Sequence, residues 1–376
     1  MGVKGLNAFV NKLTNTSKST QVASLSTFSG KTIAFDFTNQ LYRFLYRSAE
    51  ANSYLLEFIN LIHKFQKYNI NLIFVFDGKP IEEKQYVIDH RKEYREKLIK
   101  KIEEITENLT ENSDSSDEST ETIIHLTKKT NTVKSSYIIK CKELFDILGV
   151  SYIHVENVEA DAIFRHLLDN DYADACFSGD MDVLAYGCHT ILKDLDYRND
   201  TVLHIDYNNL LNDLQVSSDQ FLYACILSGT DYNNSLKKSK FEINLELIRN
   251  YDTIDNIINN LPEINSTLPE EFHKSLPKRF DWKNTYEVFT ELISLNAQDQ
   301  IAECIGYSSF NQTFQNQTFQ TQNNQSNQSN KNKQIMKIKK IKDYLSKAIQ
   351  PYDKGNKYLK KVSEFVMWVH NINLCF

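Results

Sequence analysis

Seven acidic residues of this 376-residue chain stand where strand-like apolar runs end or turn. Two pairs are separated by a single residue, Glu159 with Asp161 in VEADA and Asp180 with Asp182 in SGDMDVL. Carboxylates that share a pocket raise one another's pKa and cannot all stay ionised there without cations. The clustering therefore predicts a site for a hard divalent cation such as Mg²⁺, which prefers oxygen ligands. The candidate metal ligands are Asp36, Asp77, Glu159, Asp161, Asp180, Asp182 and Asp231.

Such a carboxylate cluster is suited to phosphodiester hydrolysis. Two Mg²⁺ ions about 3.5 to 4 Å apart can activate a water and stabilise the leaving oxygen, and we expect that Mn²⁺ can replace Mg²⁺. One alternative is that some of the acids are helix N-caps, because Asp180 and Asp231 precede possible helices. Caps do not account for seven acids at converging strand ends. The chain has no G-x-S-x-G, P-loop or G-x-G-x-x-G pattern, which argues against a serine hydrolase or a nucleotide-cofactor enzyme.

The elements that position these acids belong to an α/β fold. The runs KTIAFDF at Lys31–Phe37 and NLIFVF at Asn71–Phe76 are typical of strands buried on both faces. A helical period over Tyr54–Tyr68 lies between them, so a parallel crossover is expected. We therefore predict a mainly parallel sheet flanked by helices, with ligands gathering at the carboxyl ends of its strands. The further predicted strands are Ser151–Val155, Ala175–Phe177 and Thr190–Leu192, and the further predicted helices are Tyr137–Leu148, Ala160–Leu168 and one starting at Ile81.

Composition restricts the partners and the compartment. The net charge is −6, so a nucleic-acid surface must be local rather than general. The six cysteines show no metal-ligand spacing and are expected to be reduced thiols. No signal peptide opens the chain, and no apolar run approaches the roughly 20 residues of a membrane helix. We expect an intracellular protein that is neither secreted nor embedded in a membrane.

Six motifs occur in order between Met1 and about Leu261: MGVKGL, IAFDFTNQLYRFL, VFDGKP, VEADA, SGDMDVL and LSGTDYNNSL. Together they resemble the flap endonuclease family of structure-specific 5′ nucleases, which is XPG-like in domain plan. The resemblance implies a PIN-like sheet, a helical cap, a helix-two-turn-helix segment and cleavage of branched DNA at two metal ions. By matching positions, one ion would be held by Asp36, Asp77, Glu159 and Asp161, and the second supported by Asp180, Asp182 and Asp231.

The resemblance also indicates residues that meet the substrate. Lys84 and Arg91 match a Lys and an Arg that reach the scissile phosphate, although exposed helical ion pairs are the alternative explanation. Tyr42 matches an aromatic that stacks on a base, with a core tyrosine as the alternative. Gly2 and Lys4 would lie near the active site. The nucleic-acid-binding candidates are Gly2, Lys4, Tyr42, Arg95, Lys128, Lys129, Lys237, Lys238 and Lys240.

The helix-two-turn-helix segment departs from the family. In SLKKSKFEINLELI, Lys238 and Lys240 stand where the family has glycines, and a side chain cannot replace a left-handed glycine turn without changing the loop. We predict that Lys237, Lys238 and Lys240 contact phosphates and that the family's monovalent-cation site is lost or weakened. This divergence is reminiscent of nuclease relatives in large DNA viruses. No sliding-clamp binding motif is evident in the tail.

These observations divide the chain into six predicted regions. The acidic stretch Glu111–Glu121 is expected to be a solvated loop, and the tail after the Gln/Asn-rich segment is basic, which suits either phosphate contact or a merely soluble helix. The regions are an N-terminal nuclease region 1–105, an acidic insert in the helical cap 106–135, an internal nuclease region 136–261 with the helix-hairpin segment 217–250, a helical extension 262–307, a Gln/Asn-rich linker 308–330 and a basic tail 331–376.

The sequence thus predicts a monomeric, divalent-metal-dependent 5′ nuclease that acts on DNA with a 5′ flap, nick or junction in replication, repair or recombination. It would work in the nucleus or in a viral replication compartment. One alternative is a 5′ to 3′ exoribonuclease of related fold. Another is a catalytically silent nucleic-acid-binding or recombination scaffold, against which the full set of acids counts.

Overall fold

A computed structural model of the full chain describes residues 2–14, 16–47, 53–111, 117–236, 240–267, 279–291 and 293–305. The predicted Gln/Asn-rich linker and basic tail lie outside the described residues, as do Lys237 and Lys238. The strands are β1 Thr20–Ser24, β2 Thr32–Asp36, β3 Asn71–Phe76, β4 Ser151–His154, β5 Ala175–Phe177, β6 Thr190–Asp196 and β7 Thr201–Asp206. The helices are α1 Leu6–Leu13, α2 Phe37–Arg47, α3 Ser53–Gln66, α4 Gln85–Glu111, α5 Asp117–Thr130, α6 Ser135–Leu148, α7 Ala160–Asp169, α8 Asp182–Ala185, α9 Tyr207–Leu214, α10 Ser218–Ser228, α11 Phe241–Tyr251, α12 Ile254–Asn259, α13 Leu261–Thr267 and α14 Trp282–Thr290. One more helix covers residues 295–305.

The seven strands form one sheet in the order β1-β7-β6-β5-β2-β3-β4. β2 pairs with β5 in parallel, as β5 does with β6, whereas β7 is antiparallel to both β6 and β1. The prediction of a mainly parallel sheet flanked by helices is confirmed. Each predicted strand is present, but β6 continues to Asp196, well beyond the predicted end at Leu192. The antiparallel edge of β1 and β7 was not predicted, because TQVAS is short and half polar.

The chain separates into two compact units. The first contains Met1–Asn39, Val75–Glu96 and His154–Asp299. Its core includes the stacked rings of Phe35 and Phe177, with centroids 4.4 Å apart. Lys193 on β6 is only 2% exposed, and its ammonium donates to the side chains of Asn7 and Asn11 on α1. A buried charge of this kind is tolerated because it is hydrogen-bonded, and it fastens α1 to the sheet.

The second unit contains Gln40–Phe74 and Lys97–Ile153, with the described residues that follow Gln300. An aromatic cluster forms its core: Phe74 stacks on Phe145 at 4.4 Å, and Phe58 packs edge-on against both rings. On its surface the Tyr46 hydroxyl lies 3.5 Å from Nδ1 of His125, which joins α2 to α5. Edge-to-face and offset aromatic pairs of this kind are favourable beyond their buried area.

The acidic stretch differs from its prediction as a loop. Helix α4 continues to Glu111, and α5 already begins at Asp117, so both ends of the predicted loop are helical. Only residues 112–116 lie outside the described helices.

The predicted helix-hairpin segment contains α10 and α11. A capping box starts α10, in which Ser217 and Gln220 exchange hydrogen bonds between side chain and backbone. Lys240 is the exposed N-cap residue of α11. Cys141, Cys176, Cys188, Cys225 and Cys304 are free thiols, as expected. Within the described ranges, none of the helices is long and apolar enough to span a bilayer.

Candidate active site

The seven predicted acids occupy the ends of secondary-structure elements in the first unit. Asp36 ends β2, Asp77 directly follows β3, and Asp180 follows β5, so these three lie at carboxyl ends of strands. Each of the other four stands at or beside a helix end: Glu159 is the N-cap residue of α7, Asp161 lies in its first turn, Asp182 begins α8 and Asp231 follows α10.

Local hydrogen bonds orient three of the carboxylates. Asp36 accepts from the backbone N–H of Asn39 and from Oγ of Ser178, both at 2.8 Å. Asp77 Oδ1 accepts from the backbone N–H of Ala160 at 3.1 Å. Asp180 Oδ1 accepts from the backbone N–H of Asp182 at 3.2 Å, but the N-cap residue of α8 is Met181, so the N-cap explanation does not hold for Asp180.

Two basic side chains contact the acids. Lys84, in the short 3-10 turn before α4, places Nζ 2.6 Å from Oε2 of Glu159. Arg91 on α4 places Nη2 2.7 Å from Oδ2 of Asp231. Both carboxylates are largely buried, so these are not the exposed helical ion pairs of the alternative explanation. Arg95 follows one turn later on α4.

Burial and mutual repulsion shift the protonation of three acids. Burial, followed by the charge of Asp77, raises the pKa of Asp36 to about 7. Burial and the neighbouring Asp180 raise the pKa values of Asp161 and Asp182 well above their usual range. Burial disfavours the charged form of Lys84 and acts to lower its pKa. Attraction to Glu159 and to the neighbouring acids outweighs burial, so the pKa of Lys84 is raised. Each of these three acids is therefore affected by the charge of at least one other acid of the set.

The donor set suits a divalent cation. Glu159 Oε1 and Asp182 Oδ1 are buried side-chain oxygens for which the described residues supply no hydrogen-bond donor. An unsatisfied buried carboxylate oxygen is costly, and a hard cation would satisfy it. In the described part of the chain, however, no three Asp, Glu, His or Cys side chains already converge as a ligand group. Bonds to Lys84, Arg91 and the backbone hold several of the oxygens instead, and the metal assignment stays a prediction.

A buried layer of aromatic residues behind Glu159 was missing from the sequence prediction. The Tyr232 hydroxyl donates to Glu159 Oε2 at 3.0 Å and lies 2.9 Å from the Tyr186 hydroxyl. Burial raises the pKa of Tyr232 well above its usual value, so this hydroxyl keeps its proton and donates. Phe289 on α14 packs against both tyrosine rings, at 4.8 and 5.2 Å. The position of Tyr232 beside Asp231 was the one available signal, whereas Phe289 is distant in sequence.

The N-terminal segment approaches the acids. Gly2 has a φ of 86°, and a Cβ at this position would collide with Oδ1 of both Asp180 and Asp182. The backbone N–H of Lys4 donates to the carbonyl of Gly229 at 3.0 Å, while its side chain is exposed. Only glycine adopts this positive φ with so little space, which gives Gly2 a physical reason to be glycine.

The other nucleic-acid candidates belong to different parts of the fold. In the second unit, Tyr42 on α2 exposes 38% of its surface, and Lys128 and Lys129 are in the last turn of α5. Lys240 is exposed at the start of α11. The roles of these residues in DNA binding stay predictions.

Two family models and several known proteins match this chain. The sequence model of the XPG N-terminal domain matches residues 1–98, and that of the XPG I-region matches residues 149–231. Flap endonuclease 1-A of Oryza sativa subsp. japonica is 28% identical over 287 residues, which are 72% of each chain.

Solved structures share the fold. The catalytic core of Rad2 in complex with DNA substrate superposes with a TM-score of 0.57 at 21% identity, covering 77% of this chain and 86% of that chain. Human GEN1 in complex with Holliday junction DNA superposes with a TM-score of 0.51 at 17% identity, covering 78% and 68%. The two family regions include all seven acids, with Lys84 and Arg91.

Proposed function

This chain belongs to the family of flap endonucleases and XPG-like nucleases, and from that premise we propose that it is a divalent-metal-dependent, structure-specific 5′ nuclease acting on DNA. The observation that carries the proposal is that Lys84 and Arg91 reach the buried acids, at 2.6 and 2.7 Å. These carboxylates can also bind metal ions. The cationic side chains beside them can pair with the negatively charged oxygens of a substrate phosphate. The reaction is hydrolysis of a phosphodiester bond.

The acids would hold two Mg²⁺ ions, which Mn²⁺ could replace. The first would be bound by Asp36, Asp77, Glu159 and Asp161, and the second supported by Asp180, Asp182 and Asp231. When bound, such ions supply an activated water and stabilise the leaving 3′ oxygen. The unsatisfied oxygens of Glu159 and Asp182 support this assignment.

The protein's own groups would orient and neutralise the scissile phosphate. Lys84 and Arg91 carry positive charge at the edge of a largely buried site, where fixed charges act more strongly than in water. Tyr232 and Asn39 act behind them by fixing the carboxylates of Glu159 and Asp36. Gly2 lets the N-terminal backbone approach the acid pair closely.

The proposed substrate is DNA with a 5′ flap, nick or junction. Three matched proteins support this choice: flap endonuclease 1-A is named for a flap, the Rad2 structure is a complex with DNA substrate, and the GEN1 structure is a complex with Holliday junction DNA. The segment from α10 to α11, with Lys237, Lys238 and Lys240, would contact the duplex backbone. We further propose that the protein is a monomer of the nucleus or of a viral replication compartment and that it also has 5′ to 3′ exonuclease activity.

A substrate panel tests the proposal. Labelled 5′-flap DNA, nicked duplex, four-way junction and single-stranded RNA are incubated with Mg²⁺, Mn²⁺ or EDTA. We expect cleavage of branched DNA with either metal and none with EDTA. Cleavage of RNA alone would instead support the exoribonuclease alternative, and tight binding without cleavage under all conditions would support a scaffold.

A further inference from the structure

Tyr86 is an exposed aromatic residue for which the proposed chemistry has no role. It lies in the first turn of α4, two residues after Lys84, and 53% of its surface is exposed. Large aromatic side chains gain free energy when they are buried, so a tyrosine held in solvent beside an active site needs an explanation. The position is not part of the acid cluster or of the lysine and arginine set.

A guanidinium group covers part of the Tyr86 ring. The Cζ atom of Arg279 lies 4.6 Å from the ring centroid, within cation–π range. Arg279 is itself held in place, because Nη2 donates to the carbonyl of Glu83 and its own carbonyl accepts from the N–H of Asn234 at 2.8 Å. The Tyr86 ring is therefore fixed in orientation although it is exposed.

Among the described residues, the other neighbours leave the rest of the ring accessible. The His90 ring, one turn along α4, lies 6.4 Å away at an interplanar angle of 37°, too tilted and too distant to cover Tyr86. An exposed, pre-oriented aromatic ring loses little conformational entropy when a flat partner stacks on it. Nucleobases are such partners, and proteins stack them on both aromatic rings and arginine guanidinium groups.

We propose that Tyr86, backed by Arg279, is a stacking site for an unpaired nucleobase of the DNA whose phosphate is held at Lys84. This inference rests on the proposed function. The charge of Arg279 suits the phosphates on either side of such a base. The site would favour substrates with at least one unpaired nucleotide at the junction over fully paired duplex.

The test measures stacking directly. Flap DNA carrying the fluorescent base 2-aminopurine at each of the first few unpaired positions is bound to the Asp180→Ala variant, so that the DNA stays intact. The same background then carries Tyr86→Leu, Tyr86→Phe or, as a matched control, Tyr94→Leu. Tyr94 is on the same helix and 52% exposed.

We expect quenching of the fluorescence at one or more positions in the background variant and with Tyr86→Phe. Tyr86→Leu should abolish this quenching and weaken flap binding about tenfold, the order of one base stack, while Tyr94→Leu changes neither. Any of three results would overturn the inference: no quenching in the background variant, quenching retained by Tyr86→Leu, or an equal loss of quenching with Tyr94→Leu. If the natural protein neither binds nor cuts flap DNA, the proposed function fails; if it cuts and Tyr86→Leu behaves identically, only this inference fails.

Discussion

Lys84 Nζ lies 2.6 Å from Oε2 of Glu159, and this carboxylate keeps its other oxygen without a hydrogen bond in the described structure. The ion pair is well shielded, with 19% of the lysine side chain and 6% of the glutamate side chain exposed. The positive charge of Lys84 beside Glu159 lowers the attraction of this carboxylate for a second cation. We therefore expect Lys84 to compete with a bound divalent metal for Glu159.

The first prediction follows from this competition. Lys84→Met removes the positive charge but keeps a long apolar stem, so divalent metal should bind roughly tenfold more tightly, a change of about 1.4 kcal/mol. Cleavage should nevertheless slow on the order of a hundredfold, because the phosphate loses a fixed charge. Calorimetry with Ca²⁺ and single-turnover cleavage with Mg²⁺ measure the two effects separately.

Lys92→Met is the matched control, since Lys92 is an exposed lysine of α4, the helix that follows Lys84. It should leave metal affinity and cleavage almost unchanged. If Lys84→Met binds metal no more tightly than the natural protein, the ion pair with Glu159 does not compete with the metal.

The second prediction concerns the acid pair after β5. Asp180→Ala should lower turnover at least about a thousandfold, because metal-assisted hydrolysis depends on several kcal/mol of electrostatic stabilisation. DNA affinity should stay the same or increase, since a negative charge near the phosphates is removed. Single-turnover kinetics and fluorescence anisotropy measure these quantities, with Asp213→Ala on α9 as an exposed control. Retained turnover would disprove the metal assignment of Asp180.

The acids could be predicted from sequence because strand periodicity alone places Asp36, Asp77 and Asp180 at carboxyl ends of neighbouring strands. Contacts between distant segments could not be predicted in the same way. Phe289 reaches Tyr186 and Tyr232 through the packing of α14, and no local pattern encodes that contact. The edge strand β1 is defined by its partner β7 rather than by its own polar sequence.

The third prediction concerns that buried aromatic layer. Tyr232→Phe removes the hydroxyl that donates to Glu159 and keeps the ring against Phe289. A hydrogen bond to a charged group contributes about 1.5 to 3 kcal/mol, so cleavage should slow by at least about tenfold. The loss should appear in kcat rather than in DNA affinity, because Tyr232 positions Glu159 without touching substrate. Tyr186→Phe, one hydroxyl further from Glu159, should have a smaller effect, and equal effects would indicate general loosening of the core.

The fourth prediction is a pH dependence of stability from His204 on β7. Burial lowers the pKa of His204 below its usual 6.5, although the charge of Asp206 opposes the shift. The unfolded chain therefore binds a proton at His204 more readily than the folded protein does. The contribution of neutral His204 to the free energy of unfolding is complete above pH 6.5 and is lost as the pH drops from there through the lower folded pKa. His204→Gln should lose less stability than the natural protein between pH 8 and about pH 5, as measured by urea unfolding. Part of the slope of stability against pH should remain in the variant, because burial also lowers the pKa values of His63 and His166. An identical slope in the variant would show that His204 does not contribute.

The last prediction concerns the altered hairpin between α10 and α11. Alanine at Lys237, Lys238 and Lys240 should weaken duplex binding at low salt and reduce the slope of log affinity against log salt. Each lost phosphate contact on duplex DNA lowers that slope by about 0.9, so three contacts correspond to a decrease of about 2.7. Cleavage at saturating DNA should change little, because the acids, Lys84 and Arg91 remain. A double variant, Lys64→Ala in the last turn of α3 and Lys67→Ala just after it, removes two positive charges elsewhere and shows how much of the effect comes from net charge alone. If the hairpin variant keeps both the affinity and the salt slope of the natural protein, these lysines do not contact the DNA backbone, and the departure from the family's glycines needs another cause.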